Sequence, residues 1–352
     1  MNDIKPHQLE LGLDTFGDVT ADADGRLLSP AETLRNVLAE AVLADEVGLD
    51  AFGVGEHHRP DFAISAPEVV LAAIASRTQR IALGSAVTVL STDDPVRVFE
   101  RFSTLNALSN GRAEVILGRG SFTESYPLFG YGLDNYNELF EDKLALFVKL
   151  LKPGPVSWQP SHANTRVPLD VEGVYPPIEN GTLRTWIGVG GSPESVVRAA
   201  FHGLPLTLAI IGGSPLRFRP YVELYLQTLT RFGHPVQPIA VHSPGHVADT
   251  DQQAKDQLWP HYAAMMTRIG AERGWPPTTR AHFEREAGPD GALCVGSAET
   301  VAAKISRTVR ALGLSRFDLK YSNGTLPHAS AMKSIELFGR AVAPMVRATL
   351  GA

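Results

Sequence analysis

The first residues in the chain whose type suits proton chemistry are the adjacent histidines of Glu56-His57-His58-Arg59-Pro60. Imidazole titrates near neutrality, so it can move a proton or donate to a developing oxyanion. They end a strand-like run, and neighbours on a strand point to opposite sides, so one of the two at most faces a site. The bland alternative is that both hydrogen-bond loop backbone. Further on, Leu117-Gly118-Arg119-Gly120 sets a guanidinium between glycines. It has room to reach an anion and a planar fork to hold it, unless an Asp or Glu claims it. Val189-Gly190-Gly191-Ser192-Pro193-Glu194 places two glycines before a Ser-Pro helix start. Backbone can approach a ligand there, and the free N–H groups of a helix N-terminus suit a phosphate. Ile211-Gly212-Gly213-Ser214-Pro215 repeats the arrangement. Ser-Pro opens helices generally, so either alone reads as a turn and cap. Two in succession beside Arg119 point to a phosphorylated cofactor or substrate, with His57 or His58 nearby.

These loops need elements to position them. Strand-like runs fall at 9–16, 50–55, 81–90, 112–118, 185–189, 206–211, 239–246 and 317–321, each followed by a helical pattern. The first helix is the clearest. Ser29-Pro30-Ala31-Glu32 spells a capping box with proline at the first helical position, and Leu34, Val37, Leu38, Ala41 and Val42 share one face. Eight strand–helix units without a linker predict a single (β/α)₈ TIM barrel over 1–352, with βα-loop insertions at about 153–180 and 271–293. A doubly wound sheet would want a glycine-rich fingerprint after its first strand, and Asp14-Thr15-Phe16-Gly17-Asp18 is not one. In such a barrel the functional groups lie at the C-terminal ends of the strands. The third strand, Gly84 to Val89, is small and β-branched, leaving room there for a flat ligand or simply packing the barrel.

Bulk composition excludes other classes. The 352 residues carry 32 Lys and Arg against 38 Asp and Glu, a formal charge of −6, which argues against a nucleic-acid partner. Cys294 is the sole cysteine, so an internal disulfide is ruled out and a cysteine-rich metal site lacks ligands. No apolar run approaches the ~20 residues of a membrane span, and the opening MNDIKPHQLELG lacks a signal-peptide core. The expectation is a cytoplasmic protein without a membrane partner or a metal. The metal alternative is a barrel hydrolase using His57, His58 and His242 or His246.

Several stretches together resemble the bacterial luciferase-like flavin monooxygenases. They are Glu56-His57-His58, Leu83 to Leu90 with Asp94-Pro95-Val96-Arg97, Ser109-Asn110-Gly111-Arg112 leading to Gly118-Arg119-Gly120, Val189 to Ser195, and Leu326-Pro327-His328. The resemblance covers nearly the whole chain. It implies that His57 is the acid/base beside the flavin and that a non-proline cis peptide falls at Ala86-Val87 against the isoalloxazine. It also implies that Arg119 and Gly120 meet the flavin phosphate, and that Val189, Gly190, Gly191 and Ser192 cradle it, with Gly212 and Gly213 assisting. Luciferase subunits carry a reactive cysteine just before Arg-Gly; Leu117-Gly118 stands here, which points away from luminescence. The implied activity is a two-component monooxygenase. Reduced FMN, supplied by a reductase or through NAD(P)H, activates dioxygen to oxygenate a small organic substrate, with His57 handling the proton. The family also implies a homodimer. The alternatives are a deazaflavin-dependent dehydrogenase on the same barrel and a catalytically silent flavin-binding protein.

Overall fold

The computed structural model describes residues 9–22, 24–179 and 181–351. The opening segment read for a signal peptide lies, through residue 8, outside the described residues, as does Asn180 at the end of the first insertion. Eight parallel strands close into a ring: β1 (Glu10–Thr15), β2 (Ala51–Val54), β3 (Ala82–Ser85), β4 (Ala113–Gly118), β5 (Arg184–Val189), β6 (Leu206–Ala209), β7 (Ile239–Val247) and β8 (Arg316–Lys320). They pair in chain order, and the ring shuts where β8 meets β7 on one side and β1 on the other. The helices between them are α1 (Pro30–Glu46), α2 (Pro67–Ala75), α3 (Pro95–Leu108), α4 (Tyr136–Leu150), α5 (Pro193–Phe201), α6 (Arg219–Arg231), α7 (Asp251–Glu272), α8 (Arg280–Ala287), α9 (Ala298–Leu312) and α10 (His328–Leu337). This is the (β/α)₈ barrel that the sequence predicts.

Local chemistry starts the helices where expected. Ser29 Oγ accepts from the Glu32 N–H at 3.2 Å, and the Glu32 carboxylate accepts from the Ser29 N–H at 2.8 Å, completing the capping box. Asp94 caps α3 through the Val96 and Arg97 N–H groups, and Ser192 caps α5 through that of Ser195.

The run 81–90 is not one strand. β3 stops at Ser85, the Ala86–Val87 peptide bond is cis, and pairing to β4 resumes only at Thr88–Val89. The first insertion holds an antiparallel pair, Val156–Trp158 with Leu169–Val171. The second is not irregular throughout: α7 reaches Glu272, and α8 follows. Its sequence, Arg280 to Ala287, buries only Phe283, Glu286 and Ala287, so its apolar period is too thin to announce a helix. A short strand, Cys294–Gly296, was also not anticipated; it extends β7 by pairing with Gly245–Val247.

Strand alternation sorts the barrel into two environments. Leu11, Leu13, Phe52, Val54, Leu83, Val115, Leu117, Ile187, Leu208, Val241, Phe317 and Leu319 face the helices in one continuous core. The residues between them face the lumen, where charged side chains are buried beside the apolar Ile116, Trp186 and Ala240. Arg316 donates through Nε to both Asp318 oxygens at 2.8 Å and through Nη1 to Glu114. Trp186 Nε1 donates to the same Glu114 at 3.2 Å. Glycines make the space: a Cβ on Gly12 would lie 2.2 Å from Asp318 Oδ1.

Candidate active site

Above this charged layer, at the C-terminal ends of the strands, lies a cavity of about 270 Å³. Its floor is a ridge made by Ala86 and Val87, where β3 breaks. The ridge depends on two glycines of neighbouring strands. A Cβ on Gly118 of β4 would stand 2.6 Å from Val87 Cγ2, and one on Gly188 of β5 would stand 2.9 Å from Val87 Cγ1. Ile116 and Trp186 pack beneath it.

One end of the cavity has groups that could hold an anion. Arg119, at the end of β4, donates through Nη1 to Asn137 at 2.7 Å and through Nη2 to Ser195 Oγ at 3.0 Å. Both partners are neutral, and among the described residues Arg119 forms no salt bridge. Ser195 sits in the first turn of α5 and shares its hydroxyl with the cap residue Ser192 at 2.8 Å. Arg198, one turn on, comes within 3.4 Å of the same hydroxyl while pairing with Glu141. The helix dipole, two guanidiniums and two hydroxyls thus converge. A Cβ on Gly190 would meet nothing within 4 Å, so backbone is bare toward this end.

The other end holds the titratable groups. The His57 ring packs against Phe16 and Phe62, each 4.6 Å away, and Phe122 at 5.2 Å, and its nitrogens hydrogen-bond to none of the described residues. Burial, helped by the positive charges of Lys320, Arg59 and His58, pushes its titration down to about 3, so the ring is neutral at physiological pH. His58 Nε2 donates to Glu56 Oε1, 2.9 Å away. Glu56 Oε2 in turn takes the Val89 N–H at 2.8 Å and ties the β3 break to the histidine loop. At the same end, His242 Nδ1 of β7 donates to Asp14 Oδ2 of β1 at 2.5 Å, and its ring stacks at 5.9 Å on Phe16, which it shares with His57. Asp318 lies beside them. Burial raises its carboxyl to about 7 against the pull of Arg316, and the nearby Asp14 adds to the rise. Glu114 goes the other way: burial raises it, but Arg316 and Arg184 outweigh burial and hold it low.

The roof is electrostatic. Arg59 lies over the Phe122 ring at 4.5 Å and joins Glu124 to Glu272, which sits 2.9 Å away at the end of α7. Arg273 stacks on Phe122 from the other element at 5.2 Å.

The cavity therefore gathers His57, Ala86, Val87, Arg119, Gly120, Val189 and Gly190. Gly191 and Ser192 lie just beyond its wall, joined to it through the Ser195–Arg119 contact. Gly212 and Gly213 do not line it. The Gly213 N–H donates to Glu286 Oε2 at 2.8 Å, so a carboxylate already stands where an anion would sit. His57 and His58 both line the cavity, against the alternation argument, because β2 ends at Val54 and they lie in the loop beyond it. Of the histidines weighed as metal ligands, His246 is turned away onto Gln257 at 2.8 Å, and no metal-holding group of three occurs among the described residues. Sequence reading passed over Ser195, Phe16, Asp14, Asp318 and the pairing of His242. One signal was present: Arg316-Phe317-Asp318-Leu319-Lys320 alternates charge with large apolar residues, which in a barrel strand sends the charges inward.

Known proteins share this fold. The chain is 31% identical to the protein y4wF of Sinorhizobium fredii over 61% of its own length and 60% of that relative's. It is 25% identical to the alkanal monooxygenase alpha chain of Photobacterium leiognathi over 91% of its length and 95% of that chain. Among solved structures it superposes with a TM-score of 0.76 at 19% identity on the oxygenating constituent of 3,6-diketocamphane monooxygenase of Pseudomonas putida, solved with FMN, covering 96% and 98% of the two chains. The fold is shared equally by an F420-dependent secondary alcohol dehydrogenase, TM-score 0.76 at 16% identity, covering 97% and 99%. The family model described as luciferase-like monooxygenase matches residues 16–316, and the chain belongs to that family.

Proposed function

We propose that this oxidoreductase is an FMN-dependent monooxygenase of the two-component kind. It takes reduced FMN from a separate reductase that draws on NAD(P)H, and with dioxygen it oxygenates a small organic substrate. The observation that carries the reading is Arg119. It is a guanidinium without a carboxylate partner among the described residues, at the N-terminus of α5 and at one end of a cavity whose floor is an apolar ridge and whose far end holds three imidazoles. A phosphate at one end and a flat ring on the ridge fit that layout, and the bare backbone at Gly190 leaves room for the chain between them.

In this reading Arg119, Ser192 and Ser195 bind the phosphate, with Gly120, Val189, Gly190 and Gly191 as backbone around it, while Ala86 and Val87 back the ring. Gly212 and Gly213 take no part. Bound reduced FMN supplies the electrons that activate dioxygen. The residues do the rest. His57, neutral and held by three aromatic rings, offers one N–H and one lone pair to the reacting oxygen atoms. Phe16, Phe122 and the Arg59–Glu124 roof exclude water from that end. We also place the protein in the cytoplasm as a homodimer; no helix among the described residues is long and apolar enough to cross a membrane, and Cys294 is buried.

The test is an anaerobic titration with reduced FMN followed by air, with an alkanal as the first substrate offered. Saturable binding and reoxidation slower than that of free reduced FMN are expected, and both are lost in Arg119→Ala. If reduced FMN does not bind while a reduced deazaflavin does, the chain is instead a deazaflavin-dependent dehydrogenase.

A further inference from the structure

Of the three imidazoles lining the cavity, His58 is bound to Glu56, whose other oxygen already takes the Val89 N–H, and the remaining two, His57 and His242, are not equivalent. His57 has aromatic neighbours and no carboxylate hydrogen-bonded to its ring among the described residues, and burial, with Lys320, Arg59 and His58 nearby, disfavours an added proton there. His242 has Asp14. The Asp14 carboxylate is buried, 2% exposed, and its Oδ1 has no partner. In its one side-chain hydrogen bond among the described residues, Oδ2 accepts from His242 Nδ1. A buried carboxylate so placed fixes an imidazole in the tautomer with the proton on Nδ1, aims Nε2 at the ligand, and stabilises the imidazolium when it forms. His242 Nε2 hydrogen-bonds to none of the described residues, and His242 lines the cavity.

We propose that His242 is the group that delivers and recovers a proton during turnover, that Asp14 positions it, and that His57 acts beside it as a neutral hydrogen-bonding group. This rests on the FMN reading above. In the absence of organic substrate, reduction of dioxygen to hydrogen peroxide needs two electrons and two protons. The electrons and one proton come with the reduced flavin. The second would come from the Nε2–H of the His242 imidazolium, leaving the neutral ring with its proton on Nδ1, and water would reprotonate Nε2. The charged groups facing His242 are Asp14 from β1 and Asp318 from β8, with Arg316 behind Asp318. Lys320, paired with Asp18, lies 4.7 Å from the shared Phe16 ring. β6 contributes only Thr207 and Ala209.

The experiment has two arms on the full-length protein. In the first, ring nitrogens of ¹⁵N-histidine-labelled, flavin-free protein are read by NMR. His242 shows a protonated Nδ1 in the wild type, and Asp14→Asn, which keeps the shape, loses that single tautomer; a bare Nδ1 in the wild type overturns the proposal. In the second, hydrogen peroxide release from the reduced-FMN complex in aerated buffer is followed between pH 5 and 9. His57→Gln lowers the rate but keeps its pH dependence. His242→Gln flattens that dependence and slows release at least about tenfold below neutrality, since a positioned acid is usually worth 10² or more. Asp14→Asn displaces it. A pH dependence lost in His57→Gln and unchanged in His242→Gln overturns the proposal. Failure of the wild type to bind reduced FMN sinks the FMN reading, and this proposal with it, whereas the NMR arm alone failing leaves the FMN reading standing.

Discussion

Replacing Arg119 by alanine separates recognition of a phosphate from recognition of a flavin ring. The guanidinium now donates to the neutral oxygens of Asn137 at 2.7 Å and Ser195 at 3.0 Å, and both donors can turn to a phosphate in the same place. Hydrogen bonds to charged groups contribute about 1.5–3 kcal/mol each, and the neutral partners given up recover part of that. A net loss of about 2–3 kcal/mol follows, which is about 30- to 150-fold in Kd. Riboflavin, which lacks the phosphate, is the control. Arg119 also lies 5.0 Å over the Tyr136 ring, and losing that contact affects both flavins alike, so it cannot imitate the difference. Anaerobic titrations of wild type and Arg119→Ala with reduced FMN and reduced riboflavin measure it. Arg119→Lys recovers only part, because a point charge replaces a fork. Equal weakening of both flavins, or FMN affinity within twofold of wild type, refutes the assignment of this end of the cavity.

Three further outcomes follow from the lumen and the ridge. Arg316→Met strands the buried Glu114 and Asp318; breaking a buried pair costs about 3–5 kcal/mol. With about 2.1 cal/mol/K of unfolding entropy per residue, that lowers Tm by about 4–7 °C for this chain. Calorimetry checks it, and adding Glu114→Gln and Asp318→Asn restores most of the loss. Gly118→Ala pushes on Val87, 2.6 Å from the new Cβ, and such overpacking costs about 1–3 kcal/mol. Flavin affinity falls with it and returns in the double variant with Val87→Ala, which a ridge irrelevant to flavin would not do. His57 titrates near 6.5 unfolded and near 3 folded, so the unfolded chain takes the proton first and stability is lost as pH falls below 6.5. At pH 5 that is about 2 kcal/mol, and His57→Gln loses about that much less than wild type between pH 7.5 and 5 in denaturant titrations.

The barrel was legible because its signals are local. Ser29-Pro30-Ala31-Glu32, Asp94-Pro95 and Ser192-Pro193 each start a helix by contacts within four residues, and those contacts form. The break in β3 was not readable from propensity, since Ala86-Val87-Thr88 is good strand sequence; the glycines that admit Val87 lie on β4 and β5. The second insertion misled because α8 is short and packs on α7 and the Cys294–Gly296 strand rather than on the barrel, so its polar residues outnumber its buried ones.

The same distinction divides the site. The end proposed to take a phosphate is written in contiguous residues, Gly118-Arg119-Gly120 and Gly190-Gly191-Ser192, because backbone and a helix terminus can hold a phosphate. Even there the local text overreaches. Gly212-Gly213-Ser214 is the same phrase, and only the distant Glu286 shows that its N–H is already taken. The proton end has no phrase at all. Asp14 and His242 stand 228 residues apart and meet because β1 and β7 both register on β8, Gly12 against Asp318 and His242 against Asp318. A side chain larger than glycine at position 12 would displace the Asp318 carboxylate by collision at 2.2 Å and disturb the group beside the dyad. A glycine with no turn to make is thus part of the electrostatics of the cavity, and its reason lies in the opposite half of the chain.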